Sequence, residues 1–265
     1  QMLQNADIVF WVGHELEAFL EKPLETIGTK ATAVELLDSH GLKKLGFREG
    51  GAFEKHDHDD GDDDHDREET AEADHDHEET AEAEHEHEHE HGEFDTHVWL
   101  DPENAKAMVH EIEETLVKAD PENAAKYEAN AEAVSARLDA LIAEVSAELE
   151  PVKDKPFIVF HDAYQYFENR FGVTAAGSIT VSPEVMPGAE RVGEIRAKVQ
   201  ELGAACVFSE PQFEPKLVTT VTEGTQAKSG VLDPLGAALD DGPELYFEII
   251  RNMAASIKSC LSQAS

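Results

Sequence analysis

The chain has 265 residues, 40% of them hydrophobic, which suffices for one or two globular domains with packed cores. Its 58 acidic and 21 basic residues give a formal net charge of −37, which argues against nucleic acid and anionic membrane surfaces as partners and favours cations. Two cysteines exclude a disulfide-built mini-scaffold and a four-cysteine zinc module, and no apolar run approaches the roughly 20 residues of a membrane helix.

The first 50 residues have the pattern of an α/β domain. The apolar segment Ala6–Gly13 predicts a buried parallel strand, His14–Leu20 a short helix and Ala31–Leu37 a second strand. We interpret His14 as an exposed residue at the start of its helix. Because Gln1–Asn5 resembles the end of a helix, we expect that an N-terminal segment is missing and that this lobe is incomplete.

A polar tract at residues 56–93 holds 20 acidic residues and one arginine, and therefore about half of the net charge. Nine of the 14 histidines lie in it: His56, His58, His65, His75, His77, His85, His87, His89 and His91. Its composition predicts a disordered loop over residues 52–94. A charge run of this kind is often only a solvated loop, but the dense pairing of imidazole with carboxylate favours low-affinity metal binding.

Two helices are predicted after the tract by aspartate–proline pairs, in which the carboxylate caps the helix and proline takes its first position. Asp101-Pro102 opens a helix to about Lys118, and Asp120-Pro121 opens a longer one to about Glu150. Apolar residues of the longer helix recur at spacings of three and four, which indicates one buried stripe. We therefore predict an N-terminal lobe at 1–118, a linker helix at 119–151 and a C-terminal lobe at 152–265.

The C-terminal lobe alternates strands with helices, which predicts an α/β fold with a mostly parallel sheet flanked by helices. The predicted strands are Phe157–Phe160, Gly172–Val181, Ala204–Phe208 and Gly230–Leu232. The predicted helices are Ala163–Phe171, Pro187–Leu202, Pro215–Gly224 and Pro243–Leu261.

Polar side chains that can bind metal follow several of these strands, at the edge of the sheet where ligands of open α/β folds bind. His161 and Asp162 follow the first strand, Glu210 the third and Asp233 the fourth, while His97 lies just beyond the acidic tract. Imidazole nitrogen with carboxylate oxygen suits zinc, and also manganese or iron. Each residue also has a plainer interpretation, since a histidine after a strand is often a hydrogen-bonding residue and Asp233 could cap a turn.

The two cysteines, Cys206 and Cys260, allow two interpretations. A disulfide between them would clamp the last helix onto the sheet in an oxidising compartment. Two buried thiols are equally compatible with the sequence.

The chain resembles the metal-binding solute-binding proteins of ABC transporters, and within them the zinc-uptake branch. Four segments carry the resemblance: Thr96-His97-Val98-Trp99-Leu100-Asp101-Pro102, Phe160-His161-Asp162-Ala163-Tyr164-Gln165-Tyr166-Phe167, Phe208-Ser209-Glu210-Pro211-Gln212-Phe213 and Leu232-Asp233-Pro234-Leu235-Gly236. It implies two α/β lobes joined by a long rigid helix, with one metal ion in the cleft between them.

The resemblance also implies roles for particular residues. His97 and His161 match histidine ligands, Asp233 matches a position at or near the metal, and Cys206 and Cys260 match paired cysteines of the zinc branch. Asp162 and Glu210 are expected to support the ligands, and the charged loop to gather zinc. A further histidine ligand of the family lies upstream of Asn5, so we expect this cleft to lack one ligand.

The predicted function is that of a monomeric periplasmic receptor that captures Zn²⁺ and delivers it to an ABC permease, with no nucleic acid partner and no membrane insertion. A manganese or iron receptor of the same fold and a stand-alone zinc buffer or chaperone are the alternatives. An enzyme is not expected, because no motif places a general base beside an open metal position.

Overall fold

Two parallel β-sheets, one in each half of the chain, organise the fold. The structure is a computed structural model that describes residues 1–48, 53, 94–180, 188–201, 203, 206–213 and 216–263. The first sheet pairs β1 (Ile8–Trp11) with β2 (Thr32–Glu35), and α1 (His14–Thr26) connects them. The strands end together, with Trp11 opposite Glu35. Side chains just after either strand therefore lie at one edge.

The second sheet has four parallel strands in the order β4-β3-β5-β6, which confirms the predicted α/β class. The strands are β3 (Phe157–His161), β4 (Ala175–Thr180), β5 (Cys206–Ser209) and β6 (Lys228–Val231). The helices of this half are α4 (Gln165–Phe171), α5 (Ala189–Glu201), α6 (Lys216–Thr222) and α7 (Leu245–Ser262). All five residues of β3 are buried, as expected for a central strand covered on both faces.

Helices cover both faces of this sheet and create two hydrophobic cores. One core lies between the sheet and α5 and α6, and includes Ile158, Ile195 and Val218. The other is larger and joins the opposite face to α7 and to the long helix α3 (Ala124–Leu149). Leu37 belongs to this larger core, so the segment after β2 packs against the same hydrophobic interior as the C-terminal half.

The aspartate–proline pair at Asp101 starts helix α2 (Pro102–Ala119) as predicted. The Asp101 carboxylate accepts a hydrogen bond from the Glu103 amide at 2.9 Å. The pair at Asp120 differs, because its carboxylate accepts from the side chains of Asn123 and Tyr127 instead of a helix amide. A short 3-10 turn therefore follows, and α3 begins at Ala124, three residues later than predicted.

The apolar stripe of α3 is its packing face, as the three-and-four spacing indicates. Its buried members are Ala131, Leu138, Leu141, Val145 and Leu149. With 26 residues, α3 is about 39 Å long, and it packs against both α2 and α7. It thus connects elements from both halves of the chain. Among the described residues, no helix is both long and apolar enough to cross a membrane.

Phe53 and Phe94, the two described residues of the predicted loop at 52–94, are held by packing and by neighbouring cations. Phe53 and Phe94 are half-buried against the larger core, and a cation lies over each ring, Arg48 at 4.1 Å and Lys44 at 4.2 Å. Residues 54–93, with the prediction of disorder made for them, lie outside the described part of the chain.

The predicted disulfide between Cys206 and Cys260 is confirmed, with an S–S distance of 2.00 Å. It joins β5 to the last turn of α7 across a sequence separation of 54 residues. The bond therefore closes about half of the predicted C-terminal lobe at 152–265 into one covalent loop.

Removing this bond should destabilise the C-terminal half without abolishing its core. A closed loop of 54 residues stabilises a protein by about 4 kcal/mol in the chain-entropy model. We expect C206A/C260A to unfold at markedly lower denaturant concentration than the oxidised wild type, measured by circular dichroism. The reduced wild type serves as the control and should match the variant; equal midpoints for the oxidised and reduced wild type would contradict the prediction.

Candidate metal centre

His161 is the last residue of β3, and the register of the sheet sets what lies beside it. β5 neighbours β3 with Ile158 opposite Val207, so three further residues bring His161 opposite Glu210. Both side chains are buried, and the His161 Nδ1 atom lies 2.6 Å from the Glu210 Oε1 atom. The strand pairing itself thus gives this imidazole its carboxylate partner.

His97 reaches the same edge from the segment that precedes α2. The next three residues, Val98–Leu100, form a 3-10 turn in which Val98 and Leu100 are fully buried. The turn is held at its backbone, since Asn104 donates to the carbonyl of Val98 and Tyr246 donates to that of Trp99. The position of His97 is therefore fixed by apolar burial and by hydrogen bonds from α2 and α7.

The two imidazoles meet through their Nε2 atoms, which are 3.4 Å apart. The ring centroids are 5.3 Å apart and the ring planes are inclined by 60°, so the rings point at a common position and are not stacked. His161 is buried, whereas the His97 side chain remains 21% exposed. A small ion could therefore reach the pair from the His97 side.

The other nitrogen of each ring faces a buried carboxylate. The His97 Nδ1 atom lies 2.7 Å from the Asp95 Oδ1 atom, which parallels the 2.6 Å contact between His161 and Glu210. An ionised carboxylate only accepts hydrogen bonds, so we assign the proton of each neutral ring to Nδ1. Both Nε2 lone pairs then face each other with no proton between them, an arrangement that a cation at the shared position would stabilise.

The spacing of the two nitrogens suits zinc. Zinc binds imidazole nitrogen at about 2.0–2.1 Å, so two nitrogens on one tetrahedral ion lie about 3.3 Å apart. The observed 3.4 Å agrees with that value. The carboxylate–imidazole pairs also match the usual arrangement at metal sites, in which a carboxylate fixes the tautomer and orientation of a ligating histidine.

Glu210 is itself positioned by a second hydrogen bond. The hydroxyl of fully buried Tyr164 donates to Glu210 Oε1 at 3.0 Å. Burial, with the Glu210 charge beside it, raises the pKa of Tyr164 well above its ordinary value, so the hydroxyl keeps its proton and remains a donor. This oxygen therefore accepts from both the imidazole and the phenol.

Asp95 is a functional candidate that sequence reasoning missed. It is 2% exposed, and its Oδ1 atom accepts from both the backbone amide and the ring of His97. Gln165 contacts its other oxygen at 3.4 Å, and Tyr166 donates to its carbonyl at 2.6 Å. The signal available in the sequence was an acidic residue two positions before a predicted ligand, but the adjoining acidic tract obscured it.

Asp233 is not brought into contact with the two histidines. Its Oδ1 atom accepts from the backbone amide of Gly236 and the side chain of Gln212, and its Oδ2 atom from the amide of Ala238. Asp233 follows β6, and strand β5 stands between β6 and β3. Within the described residues, no His/Asp/Glu group with ligand atoms inside 4.8 Å combines Asp233 with His97 and His161. Its role as a ligand stays a prediction.

Asp162 contacts an arginine instead of either imidazole. Arg48 bonds the Asp162 carboxylate and also donates to Glu168 at 2.9 Å, with both carboxylates buried or nearly so. The arginine comes from the segment just before the acidic tract, so this network ties that segment to the strand end that carries His161. The expected support of His161 by Asp162 stays a prediction. The nine tract histidines lie outside the described residues.

The family model and the relatives that match this chain point to the same family. The family model described as "ZnuA: Zinc-uptake complex component A periplasmic" matches residues 1–260. A relative from Brucella suis, named "High-affinity zinc uptake system protein ZnuA", is 63% identical over 264 residues, which is 99% of this chain and 79% of the relative.

Solved structures share the fold. One titled "Crystal structure of ZnuA" has a TM-score of 0.72 at 22% identity, over 98% of this chain and 81% of its own. The SBP FpvC from Pseudomonas aeruginosa in complex with Mn²⁺ has a TM-score of 0.74 at 19% identity, over 100% and 83%. With a family match over nearly the whole sequence, the chain belongs to the ZnuA family of periplasmic zinc-uptake components.

Proposed function

We propose that this protein is a periplasmic receptor that binds one Zn²⁺ ion between His97 and His161 and delivers it to an ABC permease. The observation that carries the proposal is the pair of Nε2 atoms 3.4 Å apart, each on a ring whose Nδ1 is bonded to a carboxylate. Asp233 or water would complete the coordination. The family and the 63% identical relative named as a zinc-uptake protein support zinc as the cargo.

The donor set favours zinc over manganese or iron. Two neutral imidazoles are the ligands described at the site, and hard ions such as manganese prefer carboxylate, carbonyl and water oxygens. The Mn²⁺-bound structural neighbour shares only the fold, at 19% identity. A receptor also needs no general base, and the carboxylates nearest the pair, Asp95 and Glu210, are both engaged in orienting the imidazoles.

The acidic tract is proposed to act as a low-affinity zinc collector beside the site. Its nine histidines and 20 acidic residues combine ligands with a strong negative charge. Its flanking residues lie close to the site, because the Asp95 amide donates to the Leu45 carbonyl at 2.8 Å and Asp95 bonds His97. An ion held by the tract would thus be concentrated near the histidine pair.

The disulfide supports a periplasmic location, since such bonds persist in oxidising compartments. We further propose that the halves at 1–118 and 152–265 act as lobes joined by α3. Because α3 packs against helices of both halves along its length, zinc release would use small shifts of the segments at the site, not wide opening.

Substitution of either histidine should remove tight zinc binding. Loss of a residue that hydrogen-bonds a metal ligand weakens metal affinity by roughly 10–100-fold. H97A and H161A remove a ligand itself, so we expect each to weaken zinc affinity by more than that. Affinity is measured by competition with a chromophoric chelator strong enough to strip the tract. H110A, at an exposed histidine of α2, is the matched control and should bind as the wild type does.

Manganese in excess should not displace zinc from the wild type; displacement would contradict the zinc assignment.

The carboxylate partners should tune the site without providing ligands. E210Q and D95N keep the shape of the side chain but weaken the acceptor that fixes each imidazole, so each should reduce zinc affinity by about 10–100-fold. Y164F, which removes the second donor to Glu210, should have a smaller effect in the same direction. The same chelator competition measures all three, and wild-type affinity in both E210Q and D95N would refute the proposed tautomer control.

Deletion of the tract separates a receptor from a zinc buffer. Replacing residues 54–93 with a short glycine–serine linker should leave one tight zinc site and remove the weaker ones, because His97 and His161 are held by contacts outside the tract. Isothermal titration calorimetry measures the number of sites. Loss of all zinc binding in a variant that keeps its circular dichroism spectrum would favour the buffer.

A further inference from the structure

A second group of metal-ligating side chains lies at the carboxyl edge of the first sheet. His14 follows β1 after two residues, and Glu35 is the last residue of β2, which pairs in parallel with β1. The His14 Nδ1 atom lies 3.1 Å from Glu35 Oε2 and 3.4 Å from Glu15 Oε2. Among the described residues, His14, Glu15 and Glu35 form a group in which one ligand atom of each lies within 4.8 Å of those of the other two.

The turn that carries this group is built to let the carboxylates approach. Gly13 has φ = +149°, a conformation that residues with a side chain rarely adopt. A Cβ atom at Gly13 would lie 3.1 Å from Glu35 Oε2 and 3.2 Å from Glu15 Oε2, closer than most real contacts. Glycine therefore leaves the space in which the two oxygens converge on His14.

One carboxylate oxygen of the group is buried with the His14 ring, 3.4 Å away, as its ion-pair neighbour. The Glu15 Oε2 atom is shut off from solvent and accepts no hydrogen bond from the described residues, although the Glu15 side chain as a whole is 17% exposed. A buried acceptor without a donor costs about 1–3 kcal/mol, and more for a charged group. Glu35 Oε2, also negative, lies within 4.8 Å, so the two oxygens repel each other unless a positive charge, from a bound cation or from a protonated His14 ring, lies between them.

The surroundings add to the negative potential. A hydrogen bond to Glu35 does most to raise the pKa of His14, and the charges of Glu15, Glu35 and Glu21 raise it further. His14 is thus a half-buried member of a charged cluster, with a side chain 29% exposed, and not the freely exposed helix-start residue that the sequence suggested.

We propose that His14, Glu15 and Glu35 form a second site for a divalent ion of the zinc class, separate from the His97–His161 pair. One imidazole nitrogen and two carboxylate oxygens are a usual donor set for such ions, with water in the remaining position. The partial exposure of the side chains makes the site accessible and its affinity modest. The site does not depend on the proposed receptor function, since it shares no residue with the first centre.

Long-range ¹H–¹⁵N NMR of the full chain with ¹⁵N-labelled histidine tests this site directly. The H14Q variant identifies the His14 ring signals by their loss. Zn²⁺ added in excess over the first site and the tract should move the His14 Nδ1 signal to a metal-bound position with saturation, and Ca²⁺ should not. The shift should persist in H97A/H161A, which separates this proposal from the receptor function.

Carboxylate variants distinguish a metal site from a simple ion pair. E15Q and E35Q should each raise the zinc concentration needed for the His14 shift by roughly tenfold or more, since even the loss of a residue that hydrogen-bonds a metal ligand weakens metal affinity by that much. E21Q removes a nearby charge but no ligand and should change it much less. If the His14 signals stay unchanged at saturating zinc, or if E15Q and E21Q behave alike, the group is an ion pair and the proposal is wrong.

Discussion

The structure depends at its centre on two carboxylate–imidazole hydrogen bonds. Asp95 holds His97 and Glu210 holds His161, at 2.7 and 2.6 Å, and each bond fixes which nitrogen of the ring carries a proton. Without them either ring could turn its protonated nitrogen to the shared position. With them, two unprotonated Nε2 atoms face one point, where a single cation can bind both.

The fold supplies each member of the centre by a different route. Strand pairing between β3 and β5 places Glu210 beside His161 without any long-range adjustment. The Asp95–His97 pair instead depends on contacts to distant segments, since Asp95 bonds Leu45 and Tyr166, and Trp99 donates to the carbonyl of Pro234 at 3.0 Å. These contacts fix the described segments that flank the acidic tract, up to Arg48 on one side and from Phe94 on the other.

Periodicity and strand-end reasoning predicted most of the fold, because buried strands and the α3 stripe are set by local apolar spacing. Strand-end reasoning also points to His161, whereas the family resemblance marks His97 and His161 together as ligands. Periodicity and strand-end reasoning could not determine distances that depend on sheet order: Asp233 lies two residues after β6, and β5 stands between β6 and β3, so its role as a ligand stays a prediction. Asp95 and the partners of Asp162 depend on tertiary contacts, which leave no periodic signal in the sequence, and the choice between a disulfide and two thiols came from family resemblance.

The central claim is that one zinc ion is shared by the two facing nitrogens. The most direct measurement is anomalous diffraction at the zinc absorption edge from crystals of the zinc-loaded full chain. We expect a peak about 2.0–2.1 Å from the Nε2 atoms of both His97 and His161. A peak bound to only one of these rings, or anomalous signal elsewhere with none between them, would contradict it.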